Sequence, residues 1–396
     1  MTVVAEVFRP ADADFLADPY PAYAVLRRDH PVVFDEAAGC WLVSRHADVS
    51  ELLRDRRLGR VFTPRRPTDV FAAWNRLNAE ALLDLEPPEH TRQRRLVSSA
   101  FTPRRVAALK DPVRQLAEEL LYAAVDGDRL ELMAGLAESL PVAVIAELLG
   151  VPEEDRHRLR PWSRDIVGLY ELAYDDAAED RAVTAAEEFD AYLRGLIADR
   201  RRRSAADLLS GLVEASDVGD RLTEDEVVAT AVLLLNAGHE ATVNAIGNGV
   251  LALLRTPGSL DRLRDHRDLL PSAVEETIRY DTPLSMFQRT AFTDVDVAGQ
   301  TVRAGERVGL LLGAANRDER AFPDPDALDI GRRDNPHVGL GGGIHYCLGA
   351  PLARLEIEVT LEALLNRFQR LELAAEPVRR PTFQFRGLTE LQLAVR

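Results

Sequence analysis

The chain has 396 residues, 46% of them hydrophobic, and a net charge of −16. That length allows one large domain or two smaller ones, and the charge argues against a nucleic-acid partner. Two cysteines, Cys40 and Cys347, make no disulfide framework, which places the chain in a reducing cytoplasm. The opening MTVVAEVFRPADADFLADPYPAY has no basic start followed by an apolar core, so no signal peptide is expected. Apolar runs such as Val227 to Leu235 are far too short to span a membrane.

Taken in chain order, HPVVFDEAAGCWLVSR predicts a hairpin, with Val32 to Phe34, a turn ending at Gly39, and Trp41 to Val43. HADVSELLRD follows as a helix. From about 90 to 280 the apolar period is helical almost throughout, with breaks at Pro103, Gly127, Pro152, Gly219 and Pro257. Within it, Thr223 precedes Glu226 by three, the spacing of a capping box. Gly238, Gly247 and Gly249 each cost a helix about 1 kcal/mol against alanine. Close helix–helix contact or a functional reason is expected there.

A second β-region, DVDVAGQTVRAGERVGLLL, turns at Gly299-Gln300 and Ala304-Gly305. DERAFPDPDALDIGRRDNPHVGL is irregular, and an ordered loop of that length hints at function. One more helix starts after Cys347. The expectation is a mainly α protein with small β-sheets, forming a single domain over 1–396. Its β-rich part falls near 31–45 and 283–312, and its helical part near 90–280 and 347–367.

Cys347 lies between a glycine-rich loop, Gly341 to Gly343, and the helix that Pro351 suits at its first turn. Helix N-termini favour the thiolate, because open amides and the helix dipole stabilise negative charge. Glycines let a backbone come close to something flat and large. A thiolate-ligated haem iron needs these features. On spacing alone, a catalytic cysteine of another kind or an inert buried one fits about as well. Zinc fits poorly, with no second cysteine nearby.

GLGGGIHYCLGAPLAR resembles the haem-binding loop of the cytochromes P450, Phe-Gly-x-Gly-x-His/Arg-x-Cys-x-Gly. Gly341, Gly343, His345, Cys347 and Gly349 match. Leu340 stands where the family has a phenylalanine that shields the cysteine side, so the resemblance implies a less covered sulfur. Glu276 and Arg279 in EETIRY read alone as a surface ion pair. They are also similar to the family's Glu-x-x-Arg pair, which supports the stretch before the cysteine, where Asp329 and Arg332 lie. His90 and Arg94, four apart on one helical face, suit an anion, though alone they read as a solvated basic helix. The resemblance makes them, with Arg289 and His345, ligands of the haem propionates, and turns Arg92 and Arg95 toward an acidic redox partner. DPYPAYAVLRRDHPV, PPEHTRQRRLV, AGHEAT, EETIRY and the cysteine loop follow the family's order over nearly the whole chain.

AGHEAT resembles the family's Ala-Gly-x-Glu/Asp-Thr. Ala237 and Gly238 would let the helix bend over the haem and leave room for O2, and Glu240 fills the acid position. Ala241 stands at the alcohol position and Thr242 one residue later, about 100° around the axis. Thr242, water or a substrate hydroxyl is then expected to complete the proton relay. His239 is expected to point away from the haem. By the same analogy the substrate pocket draws on Leu284, Met286, Phe287, Phe383 and Phe385, although core packing explains any one of them.

The resemblance therefore implies a haem b monooxygenase with Cys347 on the iron. It would insert one oxygen atom of O2 into a hydrophobic or mixed-polarity small molecule, in secondary metabolism. Electrons would come ultimately from NAD(P)H through ferredoxin and ferredoxin reductase. The rivals are oxidative coupling or desaturation without oxygen insertion and, from another class, a haem-binding sensor or carrier.

Overall fold

The computed structural model describes residues 6–98, 101–217 and 222–396. After residues 6–7, which are helical, come α1 (Ala13–Ala17), α2 (Tyr20–Asp29), β1 (Val32–Asp35), β2 (Cys40–Val43), α3 (His46–Leu52) and β3 (Leu58–Gly59). Next come α4 (Ala72–Ala79), α5 (Glu89–Ser98), α6 (Pro103–Ala108), α7 (Lys110–Ala124), β4 (Val125–Asp126) and β5 (Arg129–Glu131). Five helices follow: α8 (Ser139–Leu149), α9 (Arg156–Val167), α10 (Asp176–Arg202), α11 (Leu208–Asp217) and α12 (Glu224–Arg255). After α13 (Ser259–Asp265) and α14 (Leu270–Tyr280) the chain forms β6 (Met286–Ala291), β7 (Val295–Val297), β8 (Gln300–Val302) and β9 (Arg307–Leu311). It ends with α15 (Leu312–Ala315), α16 (Ala350–Arg367), β10 (Leu371–Leu373), β11 (Val378–Arg379), β12 (Leu388–Glu390) and β13 (Gln392–Val395).

Backbone contacts divide the chain into two compact units, one of 1–59, 109–140 and 241–396, the other of 60–108 and 141–240. The first unit carries the strands named above. Its larger sheet has the order β1-β2-β9-β6-β3, with β2 and β9 parallel and the other pairs antiparallel. Val32, Val43, Val308 and Leu310 bury one face of it against Val49 and Leu52 of α3. Gly39, at φ +60°, makes the β1–β2 turn as expected. The β7–β8 turn sits at Ala298-Gly299, one residue before its expected place, because Gln300 already pairs with Val297.

A second sheet, β10-β13-β5-β4, lies outside the expected β-regions. Its hairpin, β4 and β5, interrupts the stretch read as helical, with Gly127 at φ +58° in the turn. Two- and three-residue strands carry too little pattern to be seen alone. Leu130 becomes a strand residue by pairing with Leu393 from the far end of the chain.

The helix glycines serve packing. A Cβ on Gly247 would sit 2.7 Å from Met133 Sδ, and one on Gly249 would sit 3.1 Å from Thr277 Cβ. In the second unit a Cβ on Gly238 would lie 3.3 Å from Ile145 Cγ1. α12 runs without a break through AGHEAT.

In the second unit Trp162 stacks on Phe189 at 5.0 Å, and the Trp74 indole donates to the Ile166 carbonyl. The acidic run at 174–180 becomes the first turn of α10, where Asp176 and Glu179 meet the positive end of the helix dipole. The expected break at Gly219 lies outside the described residues. The capping box forms. The Glu226 amide donates to Thr223 Oγ1 at 3.1 Å, and Glu226 Oε2 accepts from the Thr223 amide at 2.8 Å. Glu226 also accepts from Arg92 and Gln93 of α5. Burial pushes its carboxyl pKa up, but the bonds from Arg92, the Thr223 amide and Gln93 outweigh that and hold it below the usual range. Arg92, half-buried, is thus held by Glu226, and Arg95 is exposed. Thr223→Ala is expected to cost about 1 kcal/mol in chemical denaturation, the usual worth of a cap.

Candidate haem-thiolate site

Residues 317–349 contain only turns and one short 3₁₀ segment, Gly343–His345, so their order must come from side chains. Glu276 and Arg279 of α14 supply it. Both are fully buried, and Arg279 Nε and Nη2 donate to the two Glu276 oxygens at 2.8 and 2.7 Å. Arg279 also donates to the carbonyls of Asn316, Pro325 and Ala327. Glu276 accepts from the Asp329 amide, Arg332 Nε and Asn335 Nδ2. The surface ion-pair reading is overturned, because one buried carboxylate and one buried guanidinium organise the whole irregular stretch.

A second tie was not foreseen. Glu275, next to Glu276, accepts from Arg354 of α16 and lies 3.0 Å from His337 Nε2. Burial pushes its pKa up, but His337 and Arg354 outweigh this and bring it down to about 2. A carboxylate depressed in the folded state stabilises fully above its unfolded pKa and loses that contribution as pH falls. Acid titration should therefore destabilise the protein between about pH 4.5 and 2. Glu275→Gln should flatten that part of the stability curve, removing on the order of 2 kcal/mol of pH dependence given the group's partial exposure.

The cysteine loop closes on itself. The Gly341 amide donates to the Val338 carbonyl at 2.8 Å, and the Cys347 amide to the Leu340 carbonyl at 3.0 Å. Gly341 and Gly343 have φ +73° and +64°. A Cβ on Gly341 would sit 2.8 Å from Phe287 Cε2, and one on Gly343 would sit 2.5 Å from the Leu53 carbonyl oxygen. These two glycines are thus required by the turn and by protein neighbours, not only by a flat cofactor. Gly349 is the N-cap of α16, which begins at Ala350, so Cys347 precedes the helix and does not lie within it. Cys347 and His345 are half-buried, and no disulfide joins Cys347 to Cys40. Arg289, on β6, is buried, donates to the Gln288 carbonyl and lies 5.8 Å from the Phe287 ring centre. The first unit therefore brings Arg289, Phe287 and the cysteine loop into one neighbourhood.

On α12 every residue from Glu226 to Leu253 is buried except Leu233, Ala237, Gly238 and Ala241. These four form one accessible stripe of mostly small side chains. Ala241, at the alcohol position, is on the stripe, whereas Glu240 and Thr242 are buried off it. His239 Nε2 lies 3.3 Å from Glu240 Oε1 and its Nδ1 lies 3.0 Å from the Leu235 carbonyl, so the imidazole sits against the acid. Asn236 is buried one turn before Glu240, and its Oδ1 has no hydrogen-bond partner among the described residues. It is the one amide in the apolar run before AGHEAT, which was the available signal. In the second unit His90 is buried and Arg94 half-buried on one face of α5.

Of the expected pocket residues, Met286 is fully buried and Phe383 packs edge-on against Phe8 at 5.3 Å, so both are core. Leu284, Phe287 and Phe385 keep accessible surface. Within the first unit the donor set suits a haem: a half-buried thiol beside a helix start and a buried guanidinium nearby. Among the described residues no three His, Cys, Asp or Glu side chains converge as a bound metal ion alone would need.

The family model for cytochrome P450 matches residues 171–390. The chain is 41% identical to nocardicin C N-oxygenase of Nocardia uniformis subsp. tsuyamanensis, over 92% of each chain. It is 42% identical to cytochrome P450 monooxygenase PikC of Streptomyces venezuelae, over 96% of this chain and 92% of that one. The solved structure of P450BioI in complex with an acyl carrier protein ligated to hexadec-9Z-enoic acid superposes with a TM-score of 0.93 at 38% identity, over 97% of this chain and all of that one. The chain belongs to the cytochrome P450 family, and it is an oxidoreductase of the P450 monooxygenase kind. The family works with a thiolate-ligated haem iron and O2, on small-molecule substrates and with redox partners. Among the described residues no helix is long and apolar enough to cross a membrane.

Proposed function

We propose that this chain, acting as a single catalytic domain in the cytoplasm, inserts one oxygen atom of O2 into a C–H or C=C bond of a hydrophobic or mixed-polarity secondary metabolite. Electrons pass from NAD(P)H through ferredoxin reductase and ferredoxin. The observation that carries the reading is Cys347, half-buried just before α16 on a loop whose order comes from buried Glu276 and Arg279. When bound, haem b supplies the activation of O2 that no side chain can perform.

The chain's own residues hold and serve that group. Cys347 gives the thiolate, and Leu340, Gly341 and Gly349 shape the turn around it. His90, Arg94, Arg289 and His345 neutralise the propionates. Ala237 and Gly238 leave room along α12. Glu240, braced by His239, serves proton delivery together with Thr242, since Ala241 has no hydroxyl. The names of the two curated relatives, an N-oxygenase and a monooxygenase, support oxygen transfer as the reaction class.

The test is the reduced carbon monoxide difference spectrum of the purified protein, followed by the product mass in turnover with a ferredoxin and its reductase. A thiolate-type, red-shifted Soret band and a product heavier by one oxygen are expected. A loss of two hydrogens would instead make it a coupling or desaturating enzyme. The Soret band with no NADPH-dependent product would make it a sensor or carrier.

A further inference from the structure

Two of the accessible apolar side chains, Leu284 and Phe385, are paired by a β-bridge. The backbone around them is tied on both sides. The Ser285 amide donates to the Gln384 carbonyl at 3.1 Å and the Arg386 amide to the Pro283 carbonyl at 3.0 Å, while Gln384 Nε2 donates to the Met286 carbonyl at 2.6 Å. Pro283, Ser285, Met286 and Arg386 are buried, so the pair stands accessible within a buried frame. A single bridge is too short to hold its own geometry, so its order must come from side chains.

Arg386 supplies that order. Its Nε donates to Asp281 Oδ1 at 2.6 Å, its Nη1 to the Leu16 carbonyl at 2.6 Å and its Nη2 to the Ala17 carbonyl at 3.1 Å. Asp281, the C-cap of α14, also accepts from the Tyr20 hydroxyl at 2.7 Å and from Arg379 Nη2 at 2.8 Å. Burial pushes the Asp281 pKa up, but Arg386 and Arg379 outweigh this and keep it below the usual carboxylate range, so the three donors meet a full charge. Asn248 of α12 donates to the carbonyls of Asp281 and Arg386. Phe383, two residues before Phe385, packs on Phe8 at 5.3 Å and on Phe15 at 6.2 Å. The opening segment, residues 8–20, thus grips the chain on both sides of Phe385. All of these residues belong to the first unit.

We propose that Arg386 is a positioning residue for substrate selection: anchored on the opening segment and on Asp281, it fixes Leu284 and Phe385 as one apolar wall that sorts the substrate's apolar part by shape. The inference deepens the oxygen-transfer function proposed above and rests on it. Arg386 is buried and does not touch the substrate; it acts through Phe385. A guanidinium suits this task, because its planar fork bonds three acceptors at fixed angles, which an ammonium does not reproduce. The wall holds its shape only while the opening segment stays in place. Selectivity is then set in part by residues that contact no ligand, as supports behind a binding surface do.

Two measurements test this. The first uses two probes: imidazole, which reports on the haem iron, and clotrimazole, which carries the same ring with three aryl groups. Both are titrated by the Soret shift on proteins first shown to give the thiolate-type carbon monoxide band. Arg386→Met should weaken clotrimazole binding about tenfold, a share of one aromatic contact, and leave imidazole binding unchanged. Arg386→Lys should recover part of the loss. Phe385→Ala should match Arg386→Met, and the double variant should be no worse than either, as residues that act through one another are not additive. The second measurement, amide exchange, needs no ligand. In Arg386→Met the amides of residues 285 and 386 should exchange faster, while those of β1 and β2 keep their native rates. If the methionine variant does not fold, Tyr20→Phe removes one donor from Asp281, keeps the ring and serves for both readouts, with a smaller shift in the same direction. An unchanged ratio of the two azole affinities, native exchange at residue 285, or multiplying effects of the two single variants would each overturn the proposal. Failure of the carbon monoxide band in the native protein would instead defeat the function on which it rests.

Discussion

Cys347→Ser is expected to abolish the red-shifted Soret band of the reduced carbon monoxide complex while leaving the helical circular dichroism of the protein unchanged. Serine has almost the shape of cysteine, but its hydroxyl stays protonated near neutral pH and is a hard, weak donor to iron. The loop should survive the exchange, because its closing bonds are made by the backbone: the Gly341 amide to Val338 and the Cys347 amide to Leu340. The substitution thus removes the ligand and spares the turn that presents it. Hemin titration should show weaker binding, and NADPH-dependent product should vanish. A serine variant that keeps the thiolate-type band would show that the sulfur of Cys347 is not the ligand.

The second large effect is expected at Glu276. Glu276→Ala leaves the fully buried Arg279 without a counter-charge, and removes the acceptor for Arg332, Asn335 and the Asp329 amide. Removing one member of a buried ion pair costs about 3–5 kcal/mol, a large share of the stability of an ordinary domain. The loss should fall on residues 317–349 first, since they have few backbone ladder bonds to fall back on. Limited proteolysis should cut this stretch in the variant at protease levels that leave the native chain whole. Yield of haem-loaded protein should drop even when hemin is supplied in excess. A variant with native protease resistance would mean that the segment has its own source of order.

Legibility from sequence followed the size of the local signal. The β1–β2 hairpin, the capping box at Thr223 and Glu226, and the glycine-flanked cysteine were readable because each is encoded within a few adjacent residues. The β4–β5 hairpin was not, since its partner β13 lies more than half the chain away and imposes strand geometry on Leu130. The buried state of Glu276 and Arg279 could not be told from a surface pair by spacing, because three-residue spacing looks the same in both settings. Burial of Phe383 was equally invisible, as an aromatic residue fits a pocket wall and a core. The departure at Ala241 was plain in the sequence. The burial of Thr242 next to it was not, since the helical period alone does not say which face of α12 is covered.

Glu226 has a consequence for motion. The same carboxylate completes the first turn of α12 and holds Arg92 and Gln93 of α5. Fraying of that turn and loosening of α5 are therefore coupled through one carboxylate. Amide exchange at the start of α12 should keep pace with exchange along α5, and a solvent change that speeds one will speed the other.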